Sequence, residues 1–104
     1  MNKDIKVVTI CGSMKFAKEM QRIATDLEIK NGWCVIQCVY DIKKDEITEE
    51  EMNNIVNAHW KKIDISDIIY IVNINGYIGE STKNEIKYAK SKGKEVIYYE
   101  EINI

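Results

Sequence analysis

Three stretches of this sequence hold side chains able to do chemistry: Cys11-Gly12-Ser13-Met14-Lys15, the lone His59, and Gly79-Glu80-Ser81-Thr82-Lys83-Asn84-Glu85. In the last, glycine and hydroxyl residues follow an apolar run and pass into a helical pattern. That order places Glu85 in the first turn of a helix, beside unpaired backbone N–H groups. A carboxylate there can attack an electrophilic carbon as a nucleophile. It can equally cap its own helix, because Thr82-x-x-Glu85 is a capping-box pattern in which Glu85 reaches back to the Thr82 backbone N–H. Taken alone, the cap is the commoner role.

The stretch around Gly12 offers a different chemistry. Glycine at a strand–helix junction admits a ligand to the backbone, and a helix N-terminus presents N–H donors to an anion. Ser13 adds a hydroxyl and Lys15 a charge. A tight turn with Ser13 as N-cap would look the same, and neither the three-glycine dinucleotide fingerprint nor the P-loop pattern is present. His59 has the pKa range for acid–base work, although a lone histidine beside Trp60 on an apolar helix face is usually a packed one. Asp41 could meet a ribose hydroxyl, but a solvated loop residue is the simpler reading. Asp64 and Asp67 fall at the opposite end of the expected sheet, where a structural turn role fits. Tyr77, Tyr98 and Tyr99 fall near strand ends, where a ring could stack on a base or pack at an edge.

Positioning these residues requires a particular order of elements. Ile5 to Cys11 is a β-rich apolar run, and Phe16, Ala17, Met20, Ile23, Ala24 and Leu27 then recur at helical spacing up to Gly32. Trp33 to Tyr40 is a nearly continuous apolar run, as in a strand covered on both faces. Ile42 to Ile47 reads as loop, and Thr48 with Glu51 forms a capping box. Met52, Ile55, Val56, His59 and Ile63 share the face of the helix that follows. Asp67 to Ile74, about Ser81 to Lys92, and Glu95 to Tyr99 supply a strand, a helix and a strand. This β-α-β-α-β-α-β alternation predicts a single α/β domain over residues 1–104, a flavodoxin-like or Rossmann-like three-layer sandwich with a four-stranded parallel sheet in order 2-1-3-4. Ligands in such sheets bind beyond the carboxyl ends of the strands near the order reversal. That rule selects Gly12, Ser13, Asp41, the Asn73 to Gly79 loop with Asn75, Gly76 and Gly79, and Glu85.

Composition excludes several classes. The 104 residues are 45% hydrophobic and 31% charged with a net charge of -2, an ordinary globular balance with no basic footprint for a nucleic acid polymer or an anionic membrane. No apolar run is long enough to span a bilayer and Met1-Asn2-Lys3-Asp4 has no signal-peptide h-region, so a cytoplasmic protein is expected. Cys11, Cys34 and Cys38 lack C-x-x-C spacing and have a single histidine for company, so buried free thiols are expected, with a metal or redox role the lesser alternative.

In combination the segments resemble the nucleoside 2-deoxyribosyltransferase-like superfamily, including the 2′-deoxynucleoside 5′-phosphate N-hydrolases, and in particular its small bacterial members carrying a Gly-Tyr-Ile-Gly-Glu-Ser-Thr segment. The resemblance rests on Cys11-Gly12-Ser13-Met14-Lys15, on Ser66-Asp67-Ile68-Ile69, and on Ser81-Thr82-Lys83-Asn84-Glu85-Ile86. It implies that Glu85 attacks C1′ of a deoxyribose and displaces the base, with Ser13, its neighbouring N–H groups and Ser81 holding the 5′ end of a nucleoside or nucleotide. It implies no cofactor and no metal, and a homodimer in which one subunit completes the other's pocket. Members of the superfamily place an aspartate eight positions before the residue matched here by Asp67; this chain has His59 there.

Overall fold

The structure is a computed structural model describing residues 4–102. Among these residues the chain runs β1 (Val7–Gly12), α1 (Ala17–Asn31), β2 (Cys34–Ile36), α2 (Glu49–Asp64), β3 (Ile68–Val72), α3 (Glu80–Ser91) and β4 (Glu95–Tyr98). The strands form one parallel sheet in the order β2-β1-β3-β4. The alternating sequence pattern and the observed topology agree.

Side-chain alternation along the central strands sorts the core onto two faces. Ile10 and Val72 turn towards Met20, Ile23, Ala24 and Leu27 of α1. Cys11, Ile69 and Ile71 turn the other way, onto Ile63 of α2 and Ile86 and Ala89 of α3. The result is a three-layer, Rossmann-like sandwich. Each fully buried Ile or Val side chain contributes roughly 1.5–3 kcal/mol of transfer free energy. Cys11 therefore takes a core position directed at α2 and α3, the two helices that carry His59 and Glu85.

Local signals end the elements where expected. Gly32 closes α1 in the left-handed region at φ 69°. Thr48 and Glu51 form the reciprocal capping box, at 3.0 Å and 2.8 Å. At the far end of the sheet the Asp67 carboxylate accepts from the Val7 N–H at 2.9 Å, and Asp67 N–H donates to Val7 O at 2.8 Å. Asp67 thus has the structural role its position suggested. The Tyr88 hydroxyl donates to Asp64, tying α3 to α2.

Three expectations are corrected. β2 is a short edge strand, Cys34–Ile36, rather than a buried run to Tyr40. Its pairing with β1 ends at Thr9↔Ile36, because beyond that point the chain leaves the sheet and crosses towards α2. Cys34 is accordingly exposed, whereas Cys11 is buried and Cys38 half-buried. Finally, α3 begins at Glu80 with Gly79 as N-cap, so Thr82 is not a cap and the Thr82–Glu85 capping box does not form. Thr82 is instead buried within the helix, on the face it shares with Ile86 and Ala89. Among the described residues, no helix is long and apolar enough to cross a membrane.

Candidate functional site

With the helix starting at Glu80, Glu85 lies in its second turn, one turn further in than a first-turn position. Helical geometry then decides which side chains share its face. Ser81 at i−4 lies on that face, while Thr82 faces the core. The Glu85 side chain retains 17% exposure, and its Oε1 lies 3.5 Å from Nε2 of His59, whose side chain is 15% exposed. Neither group is sealed in the core. Both line a cavity of about 360 Å³, at the lower end of the range typical of small-molecule sites.

The cavity lies on the α2/α3 side of the sheet. Ile55, Val56, His59 and Trp60 of α2 form one wall, and Ser81, Asn84 and Glu85 of α3 form another. Cys38, Val39 and Ile42, from the segment that leaves the sheet after β2, close a third side. Gly12 and Met14 reach it from the end of β1. Lys62 supplies a cation at the rim, its ammonium donating to Gln37 O at 2.8 Å. An apolar lining with a hydroxyl, an amide, an imidazole, a carboxylate and one ammonium suits a small molecule that carries both apolar and polar groups.

Cys11 stands directly behind this wall. Its Sγ is 3.6 Å from His59 Nε2, and Sγ, Nε2 and a Glu85 carboxylate oxygen all lie within 4.8 Å of one another. Burial pushes the Cys11 thiol well above its ordinary value, and the Glu85 carboxylate pushes it further. The thiol is therefore protonated near neutrality and is no nucleophile. Burial also raises Cys38.

Of the residues singled out from sequence, Gly12, His59, Ser81 and Glu85 come together at the cavity. The others have different local duties. Ser13 is the N-cap of the 3₁₀ turn Met14–Phe16, its hydroxyl accepting from Lys15 N–H at 3.3 Å. Lys15 places its ammonium 3.7 Å from the centre of the Tyr77 ring, and Phe16 meets the same ring edge-on. Asn75 has a left-handed backbone at φ 57°, and its N–H donates to the Glu100 carboxylate at 3.0 Å. The neighbouring Asn73 clamps the Glu100 backbone with two hydrogen bonds, at 2.8 Å and 3.0 Å. Gly79 is the N-cap of α3 and Thr82 is in the core. Asp41 is exposed and has a left-handed backbone at φ 58°. Tyr98 packs against the core, and Tyr99 is exposed.

Sequence reasoning missed Lys62 and Asn84 as cavity residues, and it missed the contact of the buried Cys11 with His59 and Glu85. The signals were present: Lys62 is three residues from His59 along α2, and Asn84 is three from Ser81 along α3. The chain matches no family model, no curated protein and no solved structure in comparisons with known proteins.

Proposed function

We propose that this protein breaks the N-glycosidic bond of a deoxynucleoside or its 5′-monophosphate, or transfers the deoxyribosyl group to a second base, with Glu85 as nucleophile. The observation that carries the reading is the freedom of Glu85 from any capping role. Its carboxylate turns into the cavity and is paired with His59. The likeness of Ser81-Thr82-Lys83-Asn84-Glu85 to the small-hydroxyl-x-x-Glu signature of the 2-deoxyribosyltransferase-like superfamily supports the same assignment.

In this reading a Glu85 carboxylate oxygen bonds to C1′ as the C1′–N bond breaks, and the base departs with the bonding electrons and takes up a proton. His59 supplies that proton as imidazolium, and its contact with Glu85 holds the carboxylate in place. Water then attacks C1′ and gives its proton to the His59 imidazole, while the C1′–O bond to Glu85 breaks with its electrons returning to the carboxylate and the sugar leaves. Attack by a second base breaks the same bond and completes an exchange. The apolar side of the cavity receives the base. Ser81 and Lys62 take the sugar and its 5′ substituent. In the same reading the protein acts in the cytoplasm, and the likeness to the superfamily makes it a homodimer.

The test is base release from a panel of deoxynucleosides and their 5′-monophosphates, with and without an acceptor base, by wild type and Glu85→Gln. Release by wild type and its loss in the variant is the expected result. Undiminished release by Glu85→Gln would overturn the nucleophile assignment. A second reading, a nucleotide-binding module without turnover, is favoured by one observation: His59 occupies the place of the superfamily's aspartate and directs its ring at Glu85 itself. Saturable nucleotide binding with no base release, even with an acceptor base present, would select it.

A further inference from the structure

Three potential metal-binding side chains from three different elements meet at one point: Cys11 from β1, His59 from α2 and Glu85 from α3. We propose that they form a binding site for a zinc-class divalent transition metal ion. This departs from the expectation that the chain needs no metal, and it stands whether or not Glu85 acts as a nucleophile.

The argument is geometric. Zinc bonds of about 2.3 Å to sulfur and about 2.0–2.1 Å to nitrogen or oxygen, at tetrahedral angles, set neighbouring ligand atoms about 3.3–3.6 Å apart. Here Sγ to Nε2 is 3.6 Å and Nε2 to Oε1 is 3.5 Å, close to two edges of such a tetrahedron. The third pair lies within 4.8 Å, so a rotation of the Glu85 side chain completes the face. Ligands held by a central strand and two packed helices need no folding step to assemble.

Donor type selects the metal. One thiolate, one imidazole and one carboxylate suit zinc and cobalt rather than magnesium or calcium, which take oxygen ligands. Binding replaces the Cys11 S–H bond with a sulfur–metal bond and releases one proton to solvent. His59 ligates as neutral imidazole. Since His59 and Glu85 line the cavity, the fourth coordination position opens into it and holds water or an incoming ligand. Where Glu85 is the nucleophile, metal loading blocks it, and the ion acts as an off-switch on that activity; this clause alone rests on the proposed function.

The test is cobalt and zinc titration of the full chain, kept reduced with a thiol-free reductant and free of nucleotide. The expected result is one cobalt ion per chain, with tetrahedral d–d bands and a thiolate-to-cobalt charge-transfer band, both displaced by zinc. Cys11→Ser should lose the charge-transfer band, and Cys34→Ser should keep it. His59→Ala, which shortens a side chain at the cavity wall, should weaken cobalt by more than about tenfold. No stoichiometric binding, a charge-transfer band surviving in Cys11→Ser, or unchanged affinity in His59→Ala each overturns the site. Should Cys11→Ser fail to fold, the His59→Ala and Glu85→Gln titrations decide. Metal binding is read without substrate and base release without metal, so failure of either leaves the other reading intact.

Discussion

The first and third strand–helix junctions sit side by side at the carboxyl edge of the sheet, and both combine glycine with hydroxyl residues, yet they are built for different ends. At the first, polar groups are spent locally. Ser13 caps its own turn, Lys15 lies over Tyr77, and the face of Gly12 that lacks a side chain is turned towards Met20 and Val72. At the third, Gly79 caps with backbone alone, which leaves Ser81, Asn84 and Glu85 to face the cavity. The difference teaches that a hydroxyl beside a helix start becomes a binding group only where another residue takes over the capping.

The largest effect expected from this contrast is on catalysis. Glu85→Gln should reduce base release by at least about 10³-fold, because a neutral amide cannot form the glycosyl intermediate. Ser13→Ala should stay within about threefold, since its cost is a cap on a short 3₁₀ turn. Initial rates on one deoxynucleotide at saturating concentration compare them directly. Equal losses in the two variants would erase the distinction between the junctions.

Stability should divide the two glycines. A Cβ on Gly12 would approach Val72 O to 3.1 Å and Met20 Sδ to 3.3 Å. Gly12→Ala should therefore cost about 1–3 kcal/mol through overpacking. A Cβ on Gly79 would meet Tyr77 at an ordinary 3.6 Å, with the backbone at φ -75°. Gly79→Ser should change stability little and in the favourable direction, by a few tenths of a kcal/mol (about 0.3), because it adds the missing side-chain cap. Urea unfolding of the two variants checks both signs. A neutral Gly12→Ala would show that Met20 yields and that the first junction is not closed by packing.

The two lysines extend the comparison to binding. Lys62→Ala should weaken a deoxynucleoside 5′-monophosphate by about tenfold at low salt and leave the nucleoside nearly unaffected. Lys15→Ala should change either by less than about twofold, its ammonium being engaged with Tyr77 and outside the cavity lining. Calorimetric titration with both ligands separates these outcomes. A tenfold loss in Lys15→Ala instead would move the phosphate to the first junction.

Which of these differences could be read from the sequence depends on the range of the interactions behind them. Gly32 and the Thr48–Glu51 box act over a few residues, and the structure has both where the sequence predicts them. The alternation that turns Ile10 and Cys11 to opposite layers is equally local, and so was the order of elements. The start of α3 was not, because two caps overlap: Thr82 fits a capping box, yet it packs against the core inside the helix and Gly79 takes the N-cap position. β2 ends at Ile36 although β1 runs on to Gly12, because the chain turns away from the sheet to wall the cavity beside α2, a tertiary arrangement that its own apolar run does not encode. The Cys11, His59 and Glu85 cluster joins residues far apart in the chain, and only knowledge of which layer each helix joins brings them together.

The smallest effect expected concerns the cavity wall opposite the third junction, where Cys38 stands half-buried. Burial raises its thiol above the ordinary 9.0. In the unfolded chain the thiol ionises near its ordinary value, so above that pH the unfolded state binds fewer protons than the folded one. The stability that Cys38 contributes is therefore complete below pH 9.0 and declines as pH rises towards the folded value. The slope from one such group is at most about 1.4 kcal/mol per pH unit. Urea unfolding of wild type and Cys38→Ser at a series of alkaline pH values should give coincident pH dependence up to about pH 8. Beyond pH 9.0 the wild type should fall more steeply. A ligand that fills the cavity against Cys38 buries the thiol further and steepens that decline, whereas one bound at Ser13 and Lys15 leaves it unchanged, so the same titration reports which junction holds the ligand.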